Sequence, residues 1–246
     1  MKRVNWLVVL SVILILLSAV LYYIHFLIFH DAHHIYIYLL GDIAFLPIEV
    51  LLVTIIIHQL LNEKEKRTRL NKLNMVIGTF FSEIGTKLLT RFSNYDPNLE
   101  EIRKELIVSG EWSANDFQNM RYRLKKYDYN IEIKKVNLTD LQKLLLEKRG
   151  FLVMLLENPS LLEHESFTNL LRAVFHLTEE LEFRKDFTNL PDSDYAHLAS
   201  DMKRAYTTLV REYLDYMKYL KNNYPYLFSL AIRTNPFDPN ASPVVK

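Results

Sequence analysis

With no cysteine and only five glycines in 246 residues, any chemistry in this sequence falls to carboxylates, imidazoles and guanidinium groups. The missing thiols exclude disulfides, cysteine nucleophiles and thiolate metal sites. Five glycines are too few for a Gly-rich phosphate loop, and no GxSxG, P-loop, HExxH or dinucleotide fingerprint is written anywhere in the chain.

The ionisable residues gather in four places. The first is an apolar stretch in which Asp42 and Glu49 lie two helical turns apart on one face, with Pro47 between them. A carboxyl at the middle of a membrane costs about 2.5–3.5 kcal/mol on insertion scales, so it must face protein or water or hold its proton. Pro47 leaves the carbonyl of Ile43 without its usual helical donor and marks a break. This face reads either as polar glue between helices or as a path for a proton or cation.

The second place is the run His30, Asp31, His33 and His34. Imidazoles with a carboxylate suit a divalent metal, and an ordinary imidazole also titrates near physiological pH. The plain alternative is an interfacial polar turn.

The third place pairs His176 with Glu179 and Glu180, and Asp194 with His197 and Asp201, each set at spacings that share a helix face. Helical bundles do build metal centres from such faces, but their usual signature pairs Glu-x-x-His motifs, which neither set reproduces. Exposed charged helices also give these spacings by chance. No catalytic residue is assigned, and enzyme activity is not the expectation.

The fourth is basic: Arg121, Arg123, Lys125 and Lys126 follow a turn at Gly110, in the outline of a helix-turn-helix. A net charge of +1 argues against a nucleic-acid binder, which carries a large positive excess. Contact with anionic lipid headgroups fits better, beside the bland reading of a solvated face.

These residues are positioned by helices. Trp6–Phe29 and Ile35–Leu61 are apolar runs, the first long enough at about 1.5 Å per residue to cross a hydrocarbon core of about 30 Å. Lys2 and Arg3 precede the first run, and Lys64, Lys66, Arg67, Arg69 and Lys72 follow the second, while the turn holds neither lysine nor arginine. The positive-inside rule then places both termini in the cytoplasm.

The expected fold is all-α: a two-helix transmembrane hairpin over 1–61 followed by a cytoplasmic multi-helix bundle. A connecting amphipathic helix covers 62–92, with Leu70, Leu73, Ile77, Phe80 and Ile84 at seam spacing, and Gly78 and Gly85 marking a close contact. The helical domain covers 93–233, with helices expected over 98–108, over 113–126 with Ser113 as N-cap and Asp116 three residues on, and over 138–157. A flexible, proline-containing tail covers 234–246. The first helix offers only Ser11 and Ser18 in its central stretch to shelter the carboxyls, so a homo-oligomer is expected.

The expected function is a membrane-anchored helical interaction or regulatory module, with membrane lipid and a cytoplasmic protein as partners. The alternative is a small oligomeric cation or proton channel lined by the second helix. No cofactor is expected beyond a divalent metal at the histidine turn.

Overall fold

An apolar run of 24 residues without lysine, arginine or a carboxylate satisfies its own backbone polar groups as one uninterrupted helix. The computed structural model of the protein describes residues 6–161 and 164–245, and this helix is α1, Trp6–Phe29. Lys2 and Arg3, on which the expected topology rests, lie outside the described residues, as does the tail's last residue, Lys246.

The chain reverses at His30, whose φ of 53° is in the left-handed region. Asp31 Oδ1 then accepts from the backbone N–H of His33 (2.9 Å) and His34 (3.2 Å), which starts α2, Ala32–Phe80. The break expected at Pro47 does not occur, and α2 runs through it for 49 residues. One missing N–H among so many helical bonds is absorbed. From Val8 to Leu61 every side chain except His25 and Ile35 is exposed. Two helices in this part of the chain are long and apolar enough to cross a membrane.

A second compact unit begins at Arg67. Its core starts with the last turns of α2, where Leu73, Ile77 and Phe80 are buried, and continues through a π-helical turn, Phe81–Gly85, into α3, Thr86–Ser93. A Cβ on Gly85 would stand 2.7 Å from the Phe81 ring and 2.8 Å from the Phe80 ring, so only glycine fits there without rearrangement. Gly78 faces the Tyr216 ring, 3.4 Å from an added Cβ. From Arg67 on, the connecting segment belongs to the second unit, and from Leu73 it contributes to that unit's core.

Six further helices follow α3, after a short one: α4 (Arg103–Leu106), α5 (Ala114–Lys126), α6 (Leu138–Glu147), α7 (Arg149–Leu156), α8 (Glu165–Glu182), α9 (Asp192–Asn223) and α10 (Pro225–Arg233). Among the described residues there is no strand, and the fold is all-helical. Ser113 and Asp116 form the expected capping box of α5.

The helix expected over 138–157 divides at Lys148, and the one expected over 98–108 shrinks to a 3-10 turn, Leu99–Glu101, and the four residues of α4. The tail also departs from expectation. Asn235 and Phe237 are fully buried, Asn235 Nδ2 donates to the Leu106 carbonyl (3.1 Å), and Arg103 Nη1 donates to that of Phe237 (3.4 Å). A single buried aromatic in a prolyl segment has no periodicity to announce it.

α8 and α9 pack side by side through the core. Val174, Leu177 and Leu181 on the first, and Leu198, Met202 and Ala205 on the second, are all fully buried. Full burial of each large apolar side chain stabilises by about 1.5–3 kcal/mol, so this pair holds together without help from polar contacts.

Candidate metal centre

The apolar contact between α8 and α9 fixes what lies along its edge. His176 and Glu180 sit one turn apart on α8, and His197 and Asp201 one turn apart on α9. Each pair is too ordinary to signal a site alone. Packing brings one ligand atom from each of the four residues to within 4.8 Å of the others.

Four nitrogen–oxygen distances describe the cluster. Asp201 Oδ2 lies 3.4 Å from His176 Nε2 and 3.3 Å from His197 Nε2. Glu180 Oε2 lies 3.5 Å from His197 Nε2, and Glu180 Oε1 lies 3.9 Å from His176 Nε2. Tetrahedral ligands bound at zinc distances are separated by about 3.3–3.6 Å, a range that holds three of these distances and not the one of 3.9 Å.

Asp201 is the decisive residue. Its side chain is 3% exposed, and its Oδ2 is buried with no hydrogen-bond partner. Burying a carboxylate oxygen without a hydrogen bond is costly, and such orphans call for an explanation. The two nearby imidazoles approach without forming the hydrogen bond that would relieve it. The imidazoles themselves are 44% and 49% exposed, so an ion has a way in.

Two arginines complete the surroundings. Arg184 Nη1 donates to Glu180 Oε2 (2.7 Å), and the same guanidinium grips both oxygens of Asp194, at 2.9 and 2.6 Å. That hydrogen bond is the leading cause holding the Glu180 carboxyl below its ordinary value, and Arg184 does the same to Asp194. Arg204 Nη1 stands 3.3 Å from Asp201 Oδ1. Of the six residues singled out in the sequence, four converge. Glu179 stays outside the cluster, and Asp194 serves Arg184. Both arginines went unnoticed in the sequence, although each follows its carboxylate by three or four residues, where a helix makes them neighbours.

The other sequence candidates fall differently. In the turn, Asp31 is occupied as the cap of α2, while the His34 ring stacks toward His25 at 6.1 Å and meets Tyr38 edge-on at 4.6 Å. Within one chain, and among the described residues, His30, Asp31, His33 and His34 do not bring three ligand atoms together. The group of four at α8 and α9 is the one that does so among the described residues.

Asp42 and Glu49 also separate. Asp42 lines a cavity of about 470 Å³ between α1 and α2 with Ser18, Tyr22, His25 and Tyr38, whereas Glu49 is absent from its lining; both carboxylates are exposed. The first helix thus offers Asp42 more polar company than its sequence suggests.

Half of the basic cluster is committed internally: Arg121 pairs with Asp215 on α9, and Arg123 with Glu105 on α4. Lys126 lies 4.4 Å over the Tyr122 ring, and Lys125 is exposed. The patch left for headgroups shrinks to two lysines.

Comparison with known proteins follows the same division of the chain. The model of the MJ1433 N-terminal helical domain matches residues 2–61, and that of the C-terminal helical domain of uncharacterized protein MJ1433 matches residues 69–233. The protein described as uncharacterized protein MJ1433 from Methanocaldococcus jannaschii is 47% identical over 238 residues, covering 97% of this chain and 96% of its own length. No solved structure matches. Two helical domains in the same order, and this identity over nearly the whole length of both chains, make the chain a member of the MJ1433 family.

Proposed function

We propose that this protein is a two-pass membrane protein with both termini in the cytoplasm, whose helical domain is a regulatory module that holds a divalent transition-metal ion between α8 and α9. The observation that carries the metal reading is Asp201 Oδ2, buried, without a hydrogen bond, and flanked by two imidazole nitrogens at 3.3 and 3.4 Å. A cation at that point supplies the missing partner, and two carboxylates balance its charge.

Zinc binding to the full chain in detergent micelles tests it. Zinc at about 100 times its Kd stabilises the folded state by about 2.7 kcal/mol, seen as a higher Tm than in chelator. Asp201→Asn and His197→Ala should remove that difference. An identical Tm with zinc and with chelator for the parent chain sinks the proposal.

The membrane reading is supported by two apolar helices whose side chains are exposed along their length and by basic residues confined to the hairpin's outer flanks. A reporter fused at Lys246 should signal a cytoplasmic terminus, and an extracytoplasmic signal refutes the topology. Glu49, exposed and outside the hairpin cavity, is the residue a second copy would cover. Crosslinked oligomer ladders should weaken in Glu49→Leu and persist in Glu49→Gln, because the amide keeps the interhelical hydrogen bonding. Identical ladders in all three proteins remove Glu49 from the interface.

A further inference from the structure

Each carboxylate at the centre has two oxygens, and the structure treats the two differently. Arg204 faces Asp201 Oδ1 at 3.3 Å, leaving Oδ2 buried between the imidazoles. Arg184 holds Glu180 Oε2 at 2.7 Å, the oxygen that also stands 3.5 Å from His197 Nε2, while Oε1 lies 3.9 Å from His176 Nε2. Arg184 is itself fixed through two bonds to Asp194 at the start of α9, so its grip on Glu180 is not that of a loose surface chain.

We infer that the centre is a closed, four-coordinate zinc-type site with ligand atoms His176 Nε2, His197 Nε2, Asp201 Oδ2 and Glu180 Oε1, in which Arg184 and Arg204 are positioning residues that keep both carboxylates monodentate. The inference rests on the metal-binding reading and deepens it.

Three arguments set the metal class. Two nitrogens and two single oxygens make four donors, the number zinc prefers in a tetrahedron. Calcium takes six to eight oxygens and magnesium an octahedron rich in water, and guanidinium groups on the second carboxylate oxygens work against both. The chain has no cysteine, so soft thiolate sets that favour copper(I) are absent.

A role follows from coordination number. Catalytic zinc keeps one position for water beside three protein ligands, whereas four protein ligands close the shell. The site therefore joins two helices and responds to metal supply, and it does not activate a nucleophile. The ion pins the α8 and α9 faces at the same end where Arg184 and Asp194 already join the loop between them.

Cobalt(II) titration of the metal-free full chain in detergent tests this, because the visible spectrum reports coordination geometry. The parent should show the intense bands of a tetrahedral ion. Arg184→Ala and Arg204→Ala should each bind cobalt 10- to 100-fold more weakly, the usual effect of losing a partner of a metal ligand. Their spectra should weaken toward higher coordination as the freed oxygen joins the ion. Arg204 is 60% exposed, so its replacement leaves the fold intact and serves if Arg184→Ala does not fold. Arg184→Lys, which retains the charge without the fork, should fall between.

No cobalt uptake by the parent overturns the metal-binding reading itself. Uptake with the weak spectrum of a six-coordinate ion, or unchanged affinity and spectrum in both arginine variants, overturns this inference and leaves metal binding standing.

Discussion

The hairpin and the helical unit are made of the same apolar residue types used in opposite ways. From Val8 to Leu61 leucine, isoleucine and valine are exposed, Ile35 excepted, and α1 and α2 share a cavity there. From Leu73 onward most residues of the same types are buried or half-buried, with Ile84, Leu88 and Leu89 fully buried beside Phe80. Hydropathy alone does not separate these states. Spacing does: uniform apolarity leaves a helix without a preferred face, whereas seam spacing gives it one.

The sharpest way to break this contrast is to cut the chain where it changes. A fragment of 67–246 should melt cooperatively by circular dichroism. A fragment starting at residue 94 lacks Leu73, Ile77, Phe80, Phe81, Ile84, Leu88, Leu89 and Phe92, all buried. Each is worth about 1.5–3 kcal/mol, against about 5–15 kcal/mol for a whole domain. That fragment should show no cooperative transition. A cooperative melt of the shorter fragment would return residues 67–93 to the status of a linker.

One substitution made in both regions tests the same point at a single site. Leu177→Ala, at a fully buried position, should cost the helical unit about 2–5 kcal/mol in denaturant unfolding. Leu52→Ala, 52% exposed in the hairpin, should leave that transition unchanged. Equal effects would mean that the hairpin packs into the same cooperative unit.

Glycine makes a finer comparison. Gly85→Ala drives a methyl into the Phe80 and Phe81 rings and should cost about 1–3 kcal/mol. Gly41→Ala meets nothing within 4 Å and should leave helix content equal or slightly higher by circular dichroism. A neutral Gly85→Ala would show that the π-helical turn can relax.

The smallest expected effect is at the α5 cap. Ser113→Ala removes the side chain that accepts from the Asp116 N–H and should lower stability by about 1 kcal/mol, measured by the denaturant midpoint. No shift would mean that the rim of the unit frays at no cost to its core.

The sequence by itself determined the elements: two long apolar helices, the α5 cap, and an all-helical remainder. Each follows from local rules, because composition, spacing and a capping box act within a few residues. Asp42 and Glu49 show where those rules stop. Seven residues apart on one helix, they read as a pair, yet only Asp42 lines the cavity with Ser18 and His25.

Phe237 and the candidate metal centre lie further beyond reach. His176 and Glu180 form one common i,i+4 pair and His197 and Asp201 another, and nothing in either says that they meet. Only the packing of Leu177 and Leu181 beside Leu198 and Met202 sets the register that puts Asp201 Oδ2 between two imidazoles. A helix decides which side chains share its face, and the apolar contact between helices decides which faces share a site.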